Sequence, residues 1–299
     1  MPRIAVFGGT GYLASLIKNQ NNKKKNNYTF FSRKKSDKNY INFSSNKKNL
    51  NIFKKYDFII HLAGPNQNQL KKNEKLIQQK NLITSKICDL CLANNIKLIY
   101  LSSMQVYKDY GTNDISVNSK INLKNHYSKL HHDSEKIILL KFLNHKKKFT
   151  ILRMGNVFGF NKYNSKRDID TNLIHSLCLN AFKKKNILIN NGSIRRTFIP
   201  SQIFLNVISS IIKRNLFNNL IENISYKNLN LKEIAYIIQK RLKLLFKFDV
   251  QVKIENFKYK KKYKIYSNKY LKFNFSNKMI YFEIDQILKC IKKNNYNYI

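Results

Sequence analysis

The sequence opens with MPRIAVFGGTGYLA, residues Met1–Ala14, and this stretch decides the fold. Ile4–Phe7 is a short apolar run with β-branched residues, which predicts a buried strand. Three glycines and a threonine follow at positions 8–11, and the apolar spacing of Tyr12–Ile17 is that of a helix. The stretch is therefore predicted to fold as a strand, a glycine-rich turn and a helix.

This order of elements is the one that binds the diphosphate of a dinucleotide. Gly8 allows the tight turn, Gly11 lets the backbone approach the pyrophosphate, and the small Ala14 lets the helix pack closely on the strand. The helix N-terminus presents N–H groups and the positive end of its dipole to the anion. An ordinary strand–turn–helix is the alternative, but the strand before and the helix after both favour a dinucleotide site.

The composition fits a globular protein of one large or two modest domains. The chain has 299 residues, 43% of them hydrophobic and 13% aromatic, which is enough for a sizeable core. Its formal net charge of +41 could bind nucleic acid or an anionic membrane. Because arginine is scarce and the lysine runs are scattered, the sequence favours solvated lysine-rich faces over a nucleic-acid partner. The positive field still favours an anionic substrate.

The cysteines and apolar runs indicate a compartment without disulfides. Cys88 and Cys91 form a C-x-x-C, but the apolar spacing around them is helical, so both are predicted to face the sheet as small hydrophobic residues. The N-terminus runs straight into a strand and is not a signal peptide. No apolar run reaches the roughly 18 residues of a transmembrane helix. A cytoplasmic protein without a membrane span or a bound metal is expected.

Strands and helices alternate through the first half of the chain. Further strands are predicted at Tyr28–Phe31, Asn39–Phe43, Asp57–Leu62 and Lys97–Leu101, with helices at Leu50–Phe53 and Leu76–Asn94. This alternation predicts an α/β fold of the Rossmann type, a doubly wound parallel sheet. The fourth strand ends in Ala63 and Gly64, whose small size lets the backbone pass close to a cofactor.

The end of the second predicted strand bears on the choice of cofactor. A site that prefers NAD usually places a carboxylate there for the ribose hydroxyls. This strand ends in Ser32, Arg33 and Lys34 instead. A hydroxyl followed by cations suits a 2′-phosphate, so the sequence favours NADP over NAD, with solvated Arg33 and Lys34 side chains as the alternative.

Further motifs give the chain a resemblance to a known family. In chain order they are GGTGYLA (8–14), DFIIHLAG (57–64), Asn81, LSSMQVY (101–107), YSKLHHDSE (127–135), LRMGNVFG (152–159) and RRTFIP (195–200). Over nearly the whole chain they resemble the extended short-chain dehydrogenase/reductases, the NAD-dependent epimerase/dehydratase group that acts on nucleotide sugars. The resemblance implies an NAD(P)-dependent epimerase or keto-sugar reductase of surface-polysaccharide synthesis. It leaves open whether the protein is a homodimer.

The resemblance implies a catalytic group of three residues. In the family a serine or threonine hydrogen-bonds the reacting oxygen, a tyrosine exchanges a proton with it, and a lysine one helical turn later binds the nicotinamide ribose. Ser103 and Tyr127 match the first two, and His131 stands where the family has its lysine. A register that used Lys129 as the lysine would put Asn125 in place of the tyrosine, so the Tyr127 register is kept.

His131 is the main departure from the family pattern. It can hydrogen-bond ribose hydroxyls, but an imidazole that titrates near neutral pH would assist the tyrosine less reliably than a permanent cation. A catalytically inactive dinucleotide-binding sensor or scaffold therefore remains an alternative function, and an RNA-binding relative that uses the high positive charge is a less favoured one. A metal cluster with His126 and His132 is disfavoured, since no open set of ligands is evident.

Met104 and Gln105 bear on the type of reaction. The related 4,6-dehydratases are expected to need an Asp-Glu pair just after the active threonine, in order to remove water across the sugar ring. Methionine and glutamine cannot do this acid/base work. The sequence therefore disfavours dehydration and leaves epimerisation or keto-sugar reduction.

The remaining expectations concern binding contacts and domains. The resemblance implies that Asn156 contacts the sugar diphosphate and that Arg196 lies near the nucleotide phosphates, although Thr197 stands where the family often has aspartate. A Rossmann domain is predicted over 1–159, with 198–215 returning to it and a substrate-binding lobe over 160–197 and 216–299. The expected cofactor contacts are Gly8, Thr10, Gly11, Tyr12, Leu13, Ser32, Arg33, Ala63, Gly64 and Ser102.

Overall fold

Strands and helices alternate along the chain in this computed structural model, which describes residues 1–21, 27–32, 40–42, 52–72, 75–108, 110–111, 113–123, 125–145, 148–160, 172–255, 264–265 and 276–294. The strands in these ranges are β1 (Arg3–Phe7), β2 (Asn27–Ser32), β3 (Tyr40–Asn42), β4 (Phe58–His61), β5 (Lys97–Ser103), β6 (Phe149–Met154), β7 (Asn156–Phe158), β8 (Asn186–Ile189), β9 (Arg195–Pro200), β10 (Leu220–Ile224), β11 (Lys227–Asn230) and β12 (Gln251–Ile254). The helices are α1 (Tyr12–Asn21), α2 (Gln67–Lys72), α3 (Lys75–Ala93), α4 (His126–Lys141), α5 (Leu173–Lys184), α6 (Ser201–Lys213), α7 (Leu231–Phe246) and α8 (Asn277–Lys293).

The largest sheet has the strand order β10-β6-β5-β4-β1-β2-β3. Strands β1 to β6 pair with their neighbours in parallel, which confirms the doubly wound α/β fold. The strand order reverses between β1 and β4, and in such sheets ligands bind outside the carboxyl ends of the strands at this switch point. Asn39 and Phe43, at the ends of the predicted third strand, lie outside the described residues.

The core under this sheet explains the two neighbouring cysteines. Cys88 and Cys91 are fully buried on α3, among side chains that include Phe7, Phe31 and Ile59. Burial raises the pKa of the Cys88 thiol to about 12, so the thiol stays protonated at neutral pH. The prediction that both cysteines pack as small hydrophobic residues is confirmed.

The chain divides into two units. The first contains Met1–Lys108, Ser119–Met154 and Ile208–Asn223, and the second contains Asp109–Asn118, Gly155–Val207 and Ile224–Ile299. The segment that returns to the first unit is thus 208–223, whereas the sequence placed it at 198–215. The difference has a physical reason, because β9 pairs with β7 and β11 in a sheet of the second unit, while β10 joins the edge of the large sheet.

Within the second unit, the strands form two small sheets. Strand β9 lies between β7 and β11, and β12 pairs in parallel with β8.

Among the described residues of the whole chain, no helix combines the length and the apolar character that crossing a membrane requires.

The glycine-rich turn after β1 is held by main-chain hydrogen bonds. The N–H groups of Gly8 and Gly9 donate to the Phe31 carbonyl at 3.1 and 2.9 Å, and the Gly11 N–H donates to the Gly8 carbonyl at 2.9 Å. Gly8 has a φ of +87°, and a Cβ at this position would lie 2.6 Å from the Ala63 nitrogen. The turn therefore requires glycine at position 8 both for its conformation and for its close approach to the end of β4.

Replacing Gly8 by alanine is expected to lower the free energy of unfolding by about 1–3 kcal/mol, because a non-glycine residue is strained at this φ and its Cβ meets backbone. Urea unfolding followed by circular dichroism measures the change. Gly11→Ala is the control, since a Cβ there would meet only the Gly8 carbonyl oxygen, at 3.3 Å, without a positive φ. An equal loss in both variants would contradict this account of Gly8.

Candidate active site

The predicted cofactor residues that the structure describes lie at the carboxyl ends of neighbouring strands in the first unit. The glycine turn follows β1, Ala63 and Gly64 follow β4, and Ser102 and Ser103 end β5. Thr10, Gly11 and Gly64 are exposed there, so main chain is open to a ligand at this edge. Tyr12 and Leu13 begin α1, whose N-terminus carries the positive end of the helix dipole.

Ser103 is fixed at the junction between β5 and a short 3-10 helix, Met104–Val106. Its Oγ accepts a hydrogen bond from the Gln105 N–H at 3.2 Å. The Ser128 hydroxyl donates to the Gln105 carbonyl at 2.7 Å, and Asn125 caps α4 by accepting from the Ser128 N–H at 2.7 Å. These bonds tie the first turn of α4, which carries Tyr127, to the segment that carries Ser103.

Tyr127 is half-buried and lies against the other two predicted catalytic residues. Burial raises the pKa of its phenol, and a hydrogen bond with the Ser103 side chain opposes part of that rise. The His131 ring stands edge-on to the Tyr127 ring one helical turn later, with 4.6 Å between the ring centroids. The structure therefore brings Ser103, Tyr127 and His131 together, and their catalytic roles stay a prediction.

The surroundings of His131 differ from the sequence expectation of an imidazole that titrates near neutral pH. Its Nδ1 lies 3.1 Å from the Tyr100 Oη. Burial, and then the charge of Lys80, lower the pKa of His131 to about 3. The imidazole is therefore neutral at pH 7, and the expectation that it titrates near neutrality was wrong because it took no account of burial.

Lys80 is a member of this cluster that sequence reasoning missed. It lies on α3 with 3% of its surface exposed, its Nζ is 2.8 Å from the His61 Nε2, and it also donates to the Ala63 carbonyl. Burial lowers the pKa of Lys80 to about 7. One signal was available, because Lys80 falls on the same helix face as the buried Ile77 and Thr84.

Ser102 and the end of β2 have different surroundings from those expected of cofactor contacts. The Ser102 hydroxyl donates to the Glu135 Oε1 at 2.5 Å, so this side chain is engaged within the protein, and a cofactor contact of Ser102 stays a prediction. Ser32 is buried at the end of β2. Arg33, which carried the expectation of NADP, lies outside the described residues.

The two predicted substrate contacts lie on strands of the second unit. The Asn156 side chain, on β7, donates from Nδ2 to the Thr197 carbonyl at 3.2 Å, and Arg196 is half-buried on β9. Thr197 is fully buried, and its Oγ1 accepts from the Tyr226 N–H at 3.2 Å. The threonine in place of the family's aspartate thus has a packing role, and the substrate roles of Asn156 and Arg196 stay predictions.

Comparisons with known proteins agree with this geometry. The model of the NAD dependent epimerase/dehydratase family matches residues 4–203. No curated protein matches the sequence. The fold is similar to that of a UDP-N-acetylglucosamine 4-epimerase from Bacillus cereus, with 19% identity, a TM-score of 0.77 and coverage of 98% of this chain and 97% of that one.

Two further solved structures have the same fold. A UDP-N-acetylglucosamine 4-epimerase from Methanobrevibacter ruminantium M1, in complex with UDP-N-acetylmuramic acid, is 17% identical with a TM-score of 0.74 and covers 98% and 99% of the two chains. A dTDP-glucose 4,6-dehydratase from Bacillus anthracis, in complex with NAD, is 14% identical with a TM-score of 0.72. The match covers 99% of this chain and 98% of that one. Since all three identities are low, these likenesses show the fold alone.

Proposed function

Because this chain belongs to the NAD-dependent epimerase/dehydratase family, we propose that it epimerises a nucleotide sugar with a nicotinamide dinucleotide as cofactor. The observation that carries the proposal is the pairing of Ser103 with Tyr127 at the sheet edge that also bears the glycine turn. Keto-sugar reduction by the same residues is the second candidate. The sequence resemblance implies that the product is used in surface-polysaccharide synthesis.

The residues at this edge fit a dinucleotide. Gly8 takes a left-handed conformation that turns the chain into α1, and Gly11 and Gly64 leave main chain exposed. Residues Gly8–Leu13 would hold the diphosphate, Ser32 with Arg33 the adenosine ribose, and Ala63, Gly64 and the Ser102 main chain the rest of the cofactor. When bound there, the nicotinamide supplies hydride exchange with a carbon of the sugar.

In the proposed reaction, Tyr127 and Ser103 act on one oxygen of the sugar. The Ser103 hydroxyl hydrogen-bonds this oxygen, and Tyr127 Oη takes the hydroxyl proton during oxidation and returns it during reduction. Burial raises the pKa of Tyr127, so the phenol holds its proton at neutral pH and is ready to act as an acid towards a keto oxygen. To act as a base, the same phenol needs a neighbouring positive charge that favours its ionised form.

The residues after Ser103 support epimerisation over dehydration. Met104 is fully buried and Gln105 is half-buried, and neither side chain exchanges protons near neutral pH. Elimination of water across a sugar ring requires a further acid and base, whereas oxidation and re-reduction at one carbon require only the Ser103 and Tyr127 pair for the proton and the nicotinamide for the hydride. Asn156 and Arg196 are proposed to bind the diphosphate of the sugar nucleotide, whose negative charge suits this basic chain.

The test is to incubate the purified protein with NAD or NADP and, separately, with UDP-glucose and UDP-N-acetylglucosamine, and to follow the sugar by proton NMR. We expect the 4-epimer to form without consumption of dinucleotide. In a parallel incubation with NADPH and a 4-keto derivative of the sugar nucleotide, oxidation of NADPH without epimer formation in the first incubation would favour the reductase instead. A protein that binds a dinucleotide but converts none of these sugars would favour the non-catalytic sensor.

Replacing Arg33 by aspartate is expected to shift cofactor preference from NADP towards NAD. If Arg33 pairs with the 2′-phosphate, its loss should raise the Kd ratio of NADP to NAD about tenfold or more, as for a hydrogen bond to a charged group. Calorimetric titration with both dinucleotides measures the ratio. Lys86→Asp is the control, because it makes the same charge change at an exposed position on α3. An unchanged ratio in Arg33→Asp would show that the end of β2 does not select the cofactor.

A further inference from the structure

Lys80 is a buried amine with no carboxylate partner among the described residues. Among the residues that the structure describes, its Nζ contacts the His61 Nε2 and the Ala63 carbonyl oxygen, and it lies 5.0 Å from the centroid of the Tyr100 ring. A buried ammonium without a counter-charge is costly to folding. Buried titratable groups with strongly shifted pKa values cluster at functional sites, where a ligand or a reaction uses them.

The position of Lys80 joins it to the proposed active site. Its side chain runs from α3 to the carboxyl end of β4, where Ala63 accepts its hydrogen bond and the exposed Gly64 follows. A Cβ on Gly64 would lie only 3.7 Å from the Lys80 Nζ. The amine is therefore beside the main chain that is proposed to contact the cofactor.

A short chain of contacts leads from Lys80 to the catalytic tyrosine. The Lys80 amine lies over the Tyr100 ring, the Tyr100 Oη lies 3.1 Å from the His131 Nδ1, and the His131 ring packs against Tyr127. The charge of Lys80 also reaches His131, since it is one of the causes that lower the pKa of the imidazole. All of these residues belong to the first unit.

The hydrogen bonds that this amine makes to His61 and Ala63 do not by themselves require a charge at position 80. His61 has a second neighbour for its Nε2 in the Thr84 hydroxyl, 3.1 Å away, so the imidazole does not depend on Lys80 for a partner. Methionine would fill a similar volume at position 80 without an unpaired charge. The presence of lysine therefore indicates a partner that binds at this edge of the sheet.

We propose that Lys80 supplies, from helix α3, the amine that the Tyr-x-x-x-His motif of helix α4 lacks. In this role, which rests on the proposed function, the Lys80 Nζ donates to hydroxyls of the nicotinamide ribose and its positive charge favours ionisation of Tyr127. His131 is the neutral residue that packs between Tyr100 and Tyr127. The sequence thus carries its lysine on the neighbouring helix instead of one turn after the tyrosine.

The test moves the amine between the two helices. Lys80→Met is compared with the double variant Lys80→Met/His131→Lys, which returns a lysine to the position one turn after Tyr127. Lys86→Met is the matched control, because it removes an exposed lysine from the same helix. Dinucleotide Kd, from the fluorescence of bound NADH or NADPH, and turnover of the nucleotide sugar are measured on each protein.

Lys80→Met is expected to raise the dinucleotide Kd about tenfold and to lower turnover at least about tenfold, as for a lost hydrogen bond to a charged group and weaker acid/base catalysis. The double variant is expected to regain most of both losses, and Lys86→Met to match the wild type. Lys80→Gln keeps an N–H donor for Ala63 without the charge, and serves if the methionine variant does not fold.

Several outcomes would overturn the inference. One is a Lys80→Met protein that matches Lys86→Met in both Kd and turnover, while the wild type binds dinucleotide and converts sugar. A second is a Lys80→Met protein that keeps the wild-type dinucleotide Kd but loses turnover, when the double variant Lys80→Met/His131→Lys does not regain that turnover. Misfolding of both the methionine and the glutamine variants would make Lys80 structural. Failure of the wild type to bind any dinucleotide would instead remove the proposed function.

Discussion

Replacing Tyr127 by phenylalanine is expected to lower turnover of the nucleotide sugar by about 10²–10⁴-fold, the usual contribution of general acid/base catalysis. The substitution keeps the ring that packs edge-on to His131 and removes only the hydroxyl that hydrogen-bonds with Ser103. The substitution leaves the glycine turn and the end of β4 unchanged, so the dinucleotide Kd should stay within about twofold of the wild-type value. That is well under the tenfold change in Kd that corresponds to a difference of about 1.4 kcal/mol in binding free energy.

The matched control for Tyr127→Phe is Tyr56→Phe. Tyr56 is a buried tyrosine of the same unit, and its hydroxyl has no hydrogen-bond partner among the described residues. Its loss should change neither the rate nor the Kd. Turnover is measured at saturating sugar and cofactor, so that an effect on binding is separated from one on chemistry. Full activity of Tyr127→Phe would mean that the wrong helix has been assigned to catalysis.

The local part of the fold was predictable from the sequence because the signals lie close together in the chain. The strand, glycine turn and helix of the first 17 residues are encoded by adjacent residues, and they occur at β1 and α1. The alternation of later apolar runs likewise predicted a parallel sheet. Ser103 and Tyr127 were identified through the family resemblance, whose motifs place one at a strand end and the other in the first turn of a helix.

The features that were not predicted depend on contacts between distant elements. Lys80 could be related to His131 only after α3 and α4 were packed on the same sheet, since Tyr100 of β5 lies between them. The low pKa of His131 follows from that burial and not from its neighbours in sequence. The division between units differed for the same reason, because the partners of β9 are β7 and β11.

A buried ion pair in the first unit supports the segments that carry the predicted catalytic residues. Glu135, on α4, accepts from the Arg153 Nε at 3.0 Å and from its Nη2 at 2.7 Å, and also from the Ser102 hydroxyl. Arg153 Nη1 donates to the Tyr107 Oη at 2.8 Å, and that hydroxyl donates to Asn223 at 2.6 Å. The network links α4 to the ends of β5 and β6, and thereby sets Tyr127 beside Ser103.

The ionised form of Glu135 is the one that the network stabilises. Burial opposes ionisation, but the Arg153 guanidinium and the Ser102 hydroxyl, with the His132 ring nearby, outweigh it and hold the pKa of Glu135 below its ordinary value. A carboxyl whose folded pKa is lowered adds stability above its unfolded pKa, about 4.3 for glutamate, and that stability is lost as the pH falls through the folded pKa. Its contribution is therefore complete at neutral pH.

Replacing Glu135 by leucine is expected to lower the free energy of unfolding by about 3–5 kcal/mol at pH 7, because it leaves the Arg153 guanidinium buried without its counter-charge. Urea unfolding measures the change, and the difference from wild type should shrink at acid pH. The double variant Glu135→Leu/Arg153→Met should recover most of the stability, since an apolar pair can replace a buried ion pair. Asp89→Asn is the control: it breaks the Asp89–Lys141 pair, whose side chains are 58% and 33% exposed, and should cost at most about 1 kcal/mol. Equal losses in Glu135→Leu and Asp89→Asn would show that the buried pair does not support this end of the sheet.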